Sequence, residues 1–398
     1  MKRCFTAADI MLPKTNEIDK WAVIACDQHT SDPAYWRSVR DFVGRSLSTL
    51  NLILPEAELS AATDKTIEII NYNMRKALAD DAFVSYPNAY VYVERTLVDG
   101  SVRQGIVGMV DLEDYDYVYS EGVKLCATEE TVLDRIPPRA KIRRNATMEF
   151  SHIILFCDDA NCTIVEPVAL RKDAMKKLYD FDLMMDGGHI TGWLVSGEEA
   201  ARLDAALEAY EQNNFYMVSD GNHSLVTAKR CYEERRDSDS YVEGEPSRYA
   251  MVELENMNSS AIMFEPIHRL IVDTDVKKLL ADMKTIEGEN GIDIPWFSGE
   301  NSGVFSMKAN GGEMAVATLQ NFLDQWLKEN AGEIDYVHGD ETVKKLADNE
   351  TKIGFLLPKP GRAEMVDHIM TGKALPRKTF SLGHACEKRY YLEGRKIR

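Results

Sequence analysis

The sequence predicts a mixed α/β (α+β) fold in which mixed sheets are flanked by helices. Residues 215–218 are an apolar run followed by turn residues, which is typical of a short buried strand. Residues 89–95 and 105–113 are two strand-like runs around the turn at Asp99-Gly100, and this pattern indicates a hairpin. Residues 196–212 are rich in Ala, Leu and Glu, which favours a helix.

The other elements follow from the same patterns, and three regions are expected: an N-terminal α/β region at 1–148, a central region at 149–260 and a C-terminal α/β region at 261–398. Further helices are expected at 33–48, 56–79, from about 172, 224–236, 274–290, 319–328 and 365–374. Further strands are expected at 21–26, 153–157, 162–165, 249–254, 264–272 and 353–357.

Composition restricts the function classes. The 398 residues carry a formal net charge of -18, which argues against general nucleic-acid binding because phosphate backbones require a basic face. The seven Cys are dispersed without a CxxC pair, which suits reduced thiols and a cytoplasmic location. No run of apolar residues approaches the length of a membrane span, and the oligomeric state is not indicated.

The principal candidate site is the corner formed by Asp220, Gly221, Asn222, His223 and Ser224. A strand leads into it and a helix leaves it, so backbone N–H groups and the positive helix end suit an anion, above all phosphate. Here Asp220 can act as a base or metal ligand, and His223 as an acid, a base or a phosphate donor. The same residues are also common in turns that only cap a helix.

Two other stretches carry chemistry. Asp27 and His29 leave a buried strand and are candidate metal ligands, although turn residues before a helix give the same pattern. Five cations lie between 135 and 144, and Arg135, Arg139 and Arg143 are suited to phosphate or carboxylate. A solvated basic loop that pairs with an acidic surface is the alternative.

Two adjacent residues, His268 and Arg269, lie in an extended segment and are candidate cofactor-binding residues. In a strand they would point to opposite faces, so one of the two can face a given pocket.

Several motifs in order resemble the domain of unknown function 1015 family over nearly the whole chain. They begin with Phe5-Thr-Ala-Ala-Asp9-Ile and Trp21-Ala-Val-Ile-Ala-Cys-Asp-Gln. They continue with Asp111-Leu-Glu-Asp-Tyr-Asp, Ala127-Thr-Glu, Arg135-Ile-Pro-Pro-Arg139, Ser219-Asp-Gly-Asn-His-Ser and Glu265-Pro-Ile-His-Arg269.

The corner itself resembles the phosphate-binding turn of the ParB/sulfiredoxin superfamily, which includes free serine kinases. That resemblance implies a ParB/sulfiredoxin-like core, ATP or ADP with Mg²⁺ as the cofactor, and Asp220 with His223 as the phosphate and nucleotide turn. Many relatives have Arg where this chain has Ser224, so Lys229, Arg230 or the cations at 135–144 would replace that charge. Relatives are also expected to have Arg at Cys126.

Three functions are therefore open. The first is a nucleotide-dependent phosphotransferase acting on a small amino acid or hydroxy metabolite, with Asp220 or Glu129 as base or metal ligand. The second is a metal-dependent hydrolase that draws its ligands from the Asp and His residues, namely Asp27, His29, Asp186, His189, Asp220, His223 and His268. The third is a non-catalytic binder of an anionic metabolite.

Overall fold

The computed structural model describes residues 2–30, 32–131, 136–150, 152–308, 314–383 and 387–398. Its architecture confirms the predicted mixed α/β class: one large mixed sheet and a smaller antiparallel sheet are covered by helices. None of the helices in these ranges is long and apolar enough to cross a membrane.

The helices differ greatly in length, and the longer ones cover the sheets. In chain order they are α1 (Ile18–Trp21), α2 (Pro33–Val43), α3 (Asp64–Ala79), α4 (Ile136–Arg143), α5 (Val165–Ala169), α6 (Gly197–Glu211), α7 (Asn222–Arg236), α8 (Val276–Asp282), α9 (Ala315–Glu329), α10 (Asp340–Leu346) and α11 (Arg362–Met370).

The strands include several of two or three residues. In chain order they are β1 (Phe5–Thr6), β2 (Ala8–Pro13), β3 (Val23–Ile24), β4 (Phe83–Thr96), β5 (Val102–Asp111), β6 (Tyr115–Asp116), β7 (Leu125–Ala127), β8 (Met148–Phe150), β9 (Ile154–Cys157), β10 (Lys176–Asp182), β11 (His189–Val195), β12 (Tyr216–Asp220), β13 (Tyr249–Asn256), β14 (Phe264–Val272), β15 (Glu287–Ser298), β16 (Asn301–Met307), β17 (Glu333–His338), β18 (Ile353–Phe355), β19 (Phe380–Leu382), β20 (Tyr390–Tyr391) and β21 (Gly394–Lys396).

The large sheet has the order β6-β7-β12-β9-β13-β5-β4-β2-β21-β8, with β1 added to β5 and the hairpin β10-β11 added to β4. It is mixed because β12 runs parallel to β7 and antiparallel to β9, whereas β13 runs parallel to β9. The second sheet has the order β16-β15-β18-β14-β17, with β19 on β14.

Both of the first two predicted regions contribute strands to the large sheet, and the second sheet begins after the predicted boundary at 260. The three-region division stays a prediction.

The two faces of the large sheet at β12 are covered by different groups of elements. One face of β12 carries Tyr216 and Val218, which share a core with α6 and α7. The other face carries Met217, which shares a core with the second sheet and with α8, α9 and α11. The strand is therefore buried on both sides and only its carboxyl end is available for chemistry.

Local patterns predicted most elements but failed at three. Residues 162–165 were expected to be a strand, yet the Asp159 carboxylate accepts from the Thr163 and Ile164 amides and starts α5. The helix expected from about 172 is one short turn followed by β10. The helix expected at 274–290 ends near 286, where β15 begins and pairs with β16.

Gly221 makes the corner between β12 and α7 possible. Its φ is +79° and its ψ is +21°, in the left-handed region that L side chains rarely adopt. A Cβ here would lie 3.0 Å from both Cα and Cγ1 of Ile153 and 3.4 Å from Cδ2 of His152. The turn therefore depends on glycine for both its backbone angle and its close packing.

The C-terminal segment docks against the sheet. β20 pairs with β3, and β21 lies between β2 and β8. Tyr390 and Leu392 are fully buried, and Trp21 Nε1 donates a hydrogen bond of 2.9 Å to the carbonyl of Leu392. The tail thus contributes β21 to the large sheet and forms a separate two-stranded sheet with β3 through β20.

A network of buried charges holds this tail in place. Arg389 Nε lies 2.6 Å from Glu253 Oε2, and Arg389 also pairs with Glu393. Beside it, Arg95 Nη2 lies 2.6 Å from Glu255 Oε1. All five side chains are at most 3% exposed, so each charge depends on its partner.

We expect Gly221→Ala to lower the free energy of unfolding by about 2–4 kcal/mol, because left-handed strain is added to a steric clash. Gly244→Ala is the matched control, since Gly244 has a φ of +78° and open space for 4 Å around the point where a Cβ would lie. It should lose only the strain, about 1–2 kcal/mol. Urea unfolding midpoints measure both, and equal losses would contradict the packing argument.

We expect Arg389→Gln to lower the free energy of unfolding by about 3–5 kcal/mol, because Glu253 would remain buried without its partner. Arg202→Gln removes an exposed pair with Glu198 and should leave the unfolding midpoint almost unchanged. A comparable change in the two variants would show that the buried network does not secure the tail.

Candidate functional site

Two parallel strands end side by side at the corner. Val218 of β12 is in register with Ala127 of β7, so Asp220 and Glu129, two residues further along each chain, leave the sheet together. Thr128 Oγ1 donates a hydrogen bond of 2.6 Å to the carbonyl of Val218 and fixes this alignment. The sheet therefore places two carboxyl groups next to each other.

Asp220 is held in its ionised form. Its Oδ2 lies 3.2 Å from Lys388 Nζ, and its Oδ1 accepts a hydrogen bond of 2.9 Å from the Gly221 amide. Burial acts to raise the pKa of Asp220, but the positive charge of Lys388, with His152 and the Gly221 amide, brings the pKa below its ordinary value.

Glu129 has the opposite tendency. Burial raises the pKa of its carboxyl above the ordinary value, the nearby Asp220 charge adds to this, and the Thr379 amide and Lys378 oppose it. Thr379 donates a hydrogen bond of 3.2 Å to Glu129 Oε1. The two neighbouring carboxyl groups thus differ in proton affinity.

Arg269 holds the segment whose backbone amide donates to Glu129. The side chain is completely buried and donates to the carbonyl of Lys378 at 2.9 Å and to Gln320 Oε1 at 2.6 Å. Since residues 378–379 carry the amide that meets Glu129, Arg269 fixes that amide. Arg269 was predicted to bind a cofactor, and the structure gives it this positioning contact.

The first residues of α7 are anchored from β6 and β7. Tyr115 Oη donates to Asn222 Oδ1 at 2.7 Å, and Asn222 Nδ2 donates to Thr131 Oγ1 at 2.9 Å. His223 is the second residue of α7 and is half-buried. Lys229 donates to the carbonyl of Tyr115 and lies 5.7 Å from its ring centroid. Lys229 therefore ties α7 to β6.

A histidine that sequence reasoning did not select joins three parts of the site. His152 is 5% exposed, and its Nε2 lies 3.4 Å from Ser224 Oγ and 3.7 Å from Asp27 Oδ2. Its charge also acts on Asp220. The structure thus brings Asp27 and Ser224 to one imidazole ring, which is near enough to Asp220 to influence its pKa.

Beside this ring lies a cavity of about 150 Å³ between α4 and the first turns of α7. Cys26, His152, Ser224, Arg139 and Arg143 contribute to its lining. Burial raises the pKa of the Cys26 thiol to about 12, so this thiol remains protonated near neutral pH.

The basic stretch is paired with acids rather than left open. Four of its cations lie in the described residues, and each meets a carboxylate: Arg139 meets Glu56, Lys141 meets Asp64, Arg143 meets Glu149 and Arg144 meets Glu234. Arg135 lies outside the described residues. The acidic partners agree with the alternative expected for the stretch, but residues Ile136–Arg143 form the helix α4 rather than a solvated loop, and Arg139 and Arg143 also line the cavity.

Two predicted site residues have contacts elsewhere. His29 stacks on Tyr35 with ring centroids 3.6 Å apart, and burial lowers the pKa of His29. His268 Nε2 lies 3.0 Å from Asp340 Oδ1, and its Nδ1 accepts from the Leu357 amide at 3.1 Å. The metal-ligand role of Asp27 with His29 stays a prediction.

Asp186-Gly187-Gly188-His189 has the same Asp-Gly-x-His spacing as Asp220 to His223, and it ends the turn of the hairpin β10-β11. His189 lies between Asp182 and Asp180, with ring nitrogens 2.6 and 2.7 Å from their carboxylate oxygens. Within the described part of the chain, no group of three or more His, Cys, Asp or Glu residues is placed to hold a metal ion.

The functional residues that sequence reasoning missed are His152 and Lys388. Lys388 follows Glu387 in a polar tail, and only the docking of that tail brings its amine to Asp220. His152 precedes a buried strand, and this strand-edge position next to β12 was the signal that could have selected it.

Comparison with solved structures finds distant likenesses. A free serine kinase variant in complex with ADP has 12% identity and a TM-score of 0.42, covering 73% of this chain and 92% of that chain. SbnI with a C-terminal truncation from Staphylococcus aureus has 9% identity and a TM-score of 0.38, covering 70% and 83%. A conserved hypothetical protein from Pyrococcus furiosus has 13% identity and a TM-score of 0.36, covering 73% and 95%.

No curated protein sequence matches this chain. A family model, described as a protein of unknown function (DUF1015), matches residues 8–348 and so spans most of the chain. The match confirms the resemblance drawn from the sequence motifs. The chain belongs to the DUF1015 family of proteins of unknown function.

Proposed function

We propose that the protein transfers a phosphoryl group from a nucleoside triphosphate to the hydroxyl group of a small metabolite. The observation that carries the proposal is the pair Asp220 and Glu129, whose pKa values are shifted in opposite directions beside a helix start. Paired carboxyl groups with divergent pKa values suit a division between a fixed negative charge and a proton acceptor.

The phosphates are assigned to the first turn of α7. The start of a helix carries partial positive charge. Lys388 adds a full positive charge at Asp220, and His223 lies in the same turn. These groups supply the cationic contacts that Ser224 does not offer.

The chemistry assigns the proton to Glu129. The substrate hydroxyl oxygen forms a bond to the γ-phosphorus, the bond from that phosphorus to the bridging oxygen breaks, and the nucleoside diphosphate leaves. The hydroxyl proton goes to Glu129. Asp220 is the carboxylate that would hold Mg²⁺, because this ion uses one or two carboxylates with phosphate oxygens, and it would neutralise phosphate charge.

A cytoplasmic location, expected from the dispersed thiols, would give the protein access to nucleoside triphosphates. The expected partners are therefore a nucleotide and a small anionic metabolite.

We expect ATP with Mg²⁺ to raise the melting temperature of the protein, and Lys388→Met to reduce this rise because the phosphates lose a cation. Lys396→Met is the control, since Lys396 is exposed on β21. Nucleoside diphosphate formation with a panel of hydroxy acids and amino acids then measures transfer. Binding without any transfer would favour the non-catalytic binder, and no binding would reject the proposal.

We expect Glu129→Gln to lower kcat by about 10²–10⁴-fold, the usual contribution of a general base. In the wild type, kcat/KM should fall as pH decreases through the pKa of Glu129, because only the unprotonated carboxylate accepts the proton. Since that pKa is raised, this acid limb should lie above the ordinary value of 4.5.

Lys378→Met should move the acid limb to higher pH, because the Lys378 charge lowers the pKa of Glu129. Lys359→Met, at an exposed pair with Glu265, is the control and should leave the profile unchanged. An acid limb that stays in place when Lys378 is replaced would assign it to another group.

A further inference from the structure

The cavity beside His152 has apolar walls. They are formed by residues from the loop before α3, from α3, from α4 and from β8 and its flank: Leu54, Met74, Ile142, Met148, Phe150 and Ile153. A volume of about 150 Å³ is large enough for a group of the size of benzene. Polar side chains line the other side of the cavity, namely His152, Ser224, Arg139 and Arg143.

Arg143 supplies a cation to this apolar space. Its Nη1 lies 2.6 Å from Glu149 Oε2, whereas its Nη2 is buried and has no hydrogen-bond partner among the described residues. Glu149 has further partners in Arg395 at 2.6 Å and the Met251 amide at 2.9 Å. Arg143 is therefore the member of this cluster with a donor to spare.

The cavity borders the corner at the first turn of α7. His152 and Ser224 line it, Ser224 lies in the first turn of α7, and the charge of His152 reaches Asp220. A ligand in the cavity would thus lie against the first turn of α7.

We propose that this cavity binds a small carboxylic acid with an apolar body, and that Arg143 recognises its carboxylate. A guanidinium with an open donor suits a carboxylate, and the apolar walls receive the aliphatic or aromatic group. The inference rests on the proposed function only in naming this acid, in its hydroxy form, as the phosphoryl acceptor.

Phenyllactate tests the ligand class by isothermal titration of the full chain in the absence of nucleotide. It should bind at least about tenfold more tightly than lactate, which lacks the ring, because burying a phenyl group is worth more than one factor of ten. It should also bind at least about tenfold more tightly than phenylpropanol, which lacks the carboxylate. Equal affinities, or no binding of phenyllactate, would overturn the proposal.

Variants test separately the recognition of the carboxylate and the recognition of the apolar body. Arg143→Gln should weaken phenyllactate binding about tenfold, whereas Arg144→Gln, at the exposed neighbour paired with Glu234, should leave it unchanged. Ala146→Leu fills the cavity from its buried wall and should weaken phenyllactate while leaving lactate unaffected. Equal losses in the two Arg variants, or no effect of Ala146→Leu, would place the ligand elsewhere.

The outcomes also separate this inference from the proposed function. Selective binding of phenyllactate without phosphoryl transfer would reject the transferase and retain the ligand class. Transfer to hydroxy compounds without selectivity for an apolar body would reject the ligand class and retain the transferase.

Discussion

Compensation of buried negative charge by the C-terminal segment is the constraint on which the site depends. Asp220 is in register with Ile154, and Ile154 with Glu253, so the two carboxylates lie on the same face of the large sheet. An unpaired buried charge costs several kcal/mol. Lys388 and Arg389 provide the opposite charges. When the C-terminal segment docks, it therefore also supplies the corner with the cation that pairs with Asp220.

The corner itself could be predicted from sequence because its determinants are local. An apolar strand, Gly221 at a left-handed position and a helix that begins at Asn222 are adjacent in the chain, and the structure has all three. The failed elements had competing long-range or side-chain contacts. Residues 287–298 form a strand because β16 and β18 pair with them, and no local periodicity reports such pairing.

The difference between local and long-range determinants also explains which site residues could be predicted. Asp220 could be selected by its motif, whereas Lys388 lies far along the chain and reaches Asp220 only through tertiary packing. The basic stretch shows the reverse. Its density of cations suggested an anion site, but the chain has a net charge of -18 and each described cation of the stretch pairs with a carboxylate. Among these described cations, Arg143 alone has a buried N–H group that lacks a hydrogen-bond acceptor. A high density of cations in a sequence therefore does not show that these cations are free to bind a ligand in the folded protein.

The sheet gives Asp220 and Glu129 equivalent positions, and their surroundings make them different. Asp220 meets an ammonium group and a backbone amide, which favour the charged form. At Glu129 the effect of burial exceeds that of the Thr379 amide and Lys378, which favours the neutral form. A negative charge already fixed at Asp220 further discourages ionisation of its neighbour. A single proton is therefore held preferentially at Glu129, and the strand register that aligns the two carboxyl groups is also what sets their order of ionisation.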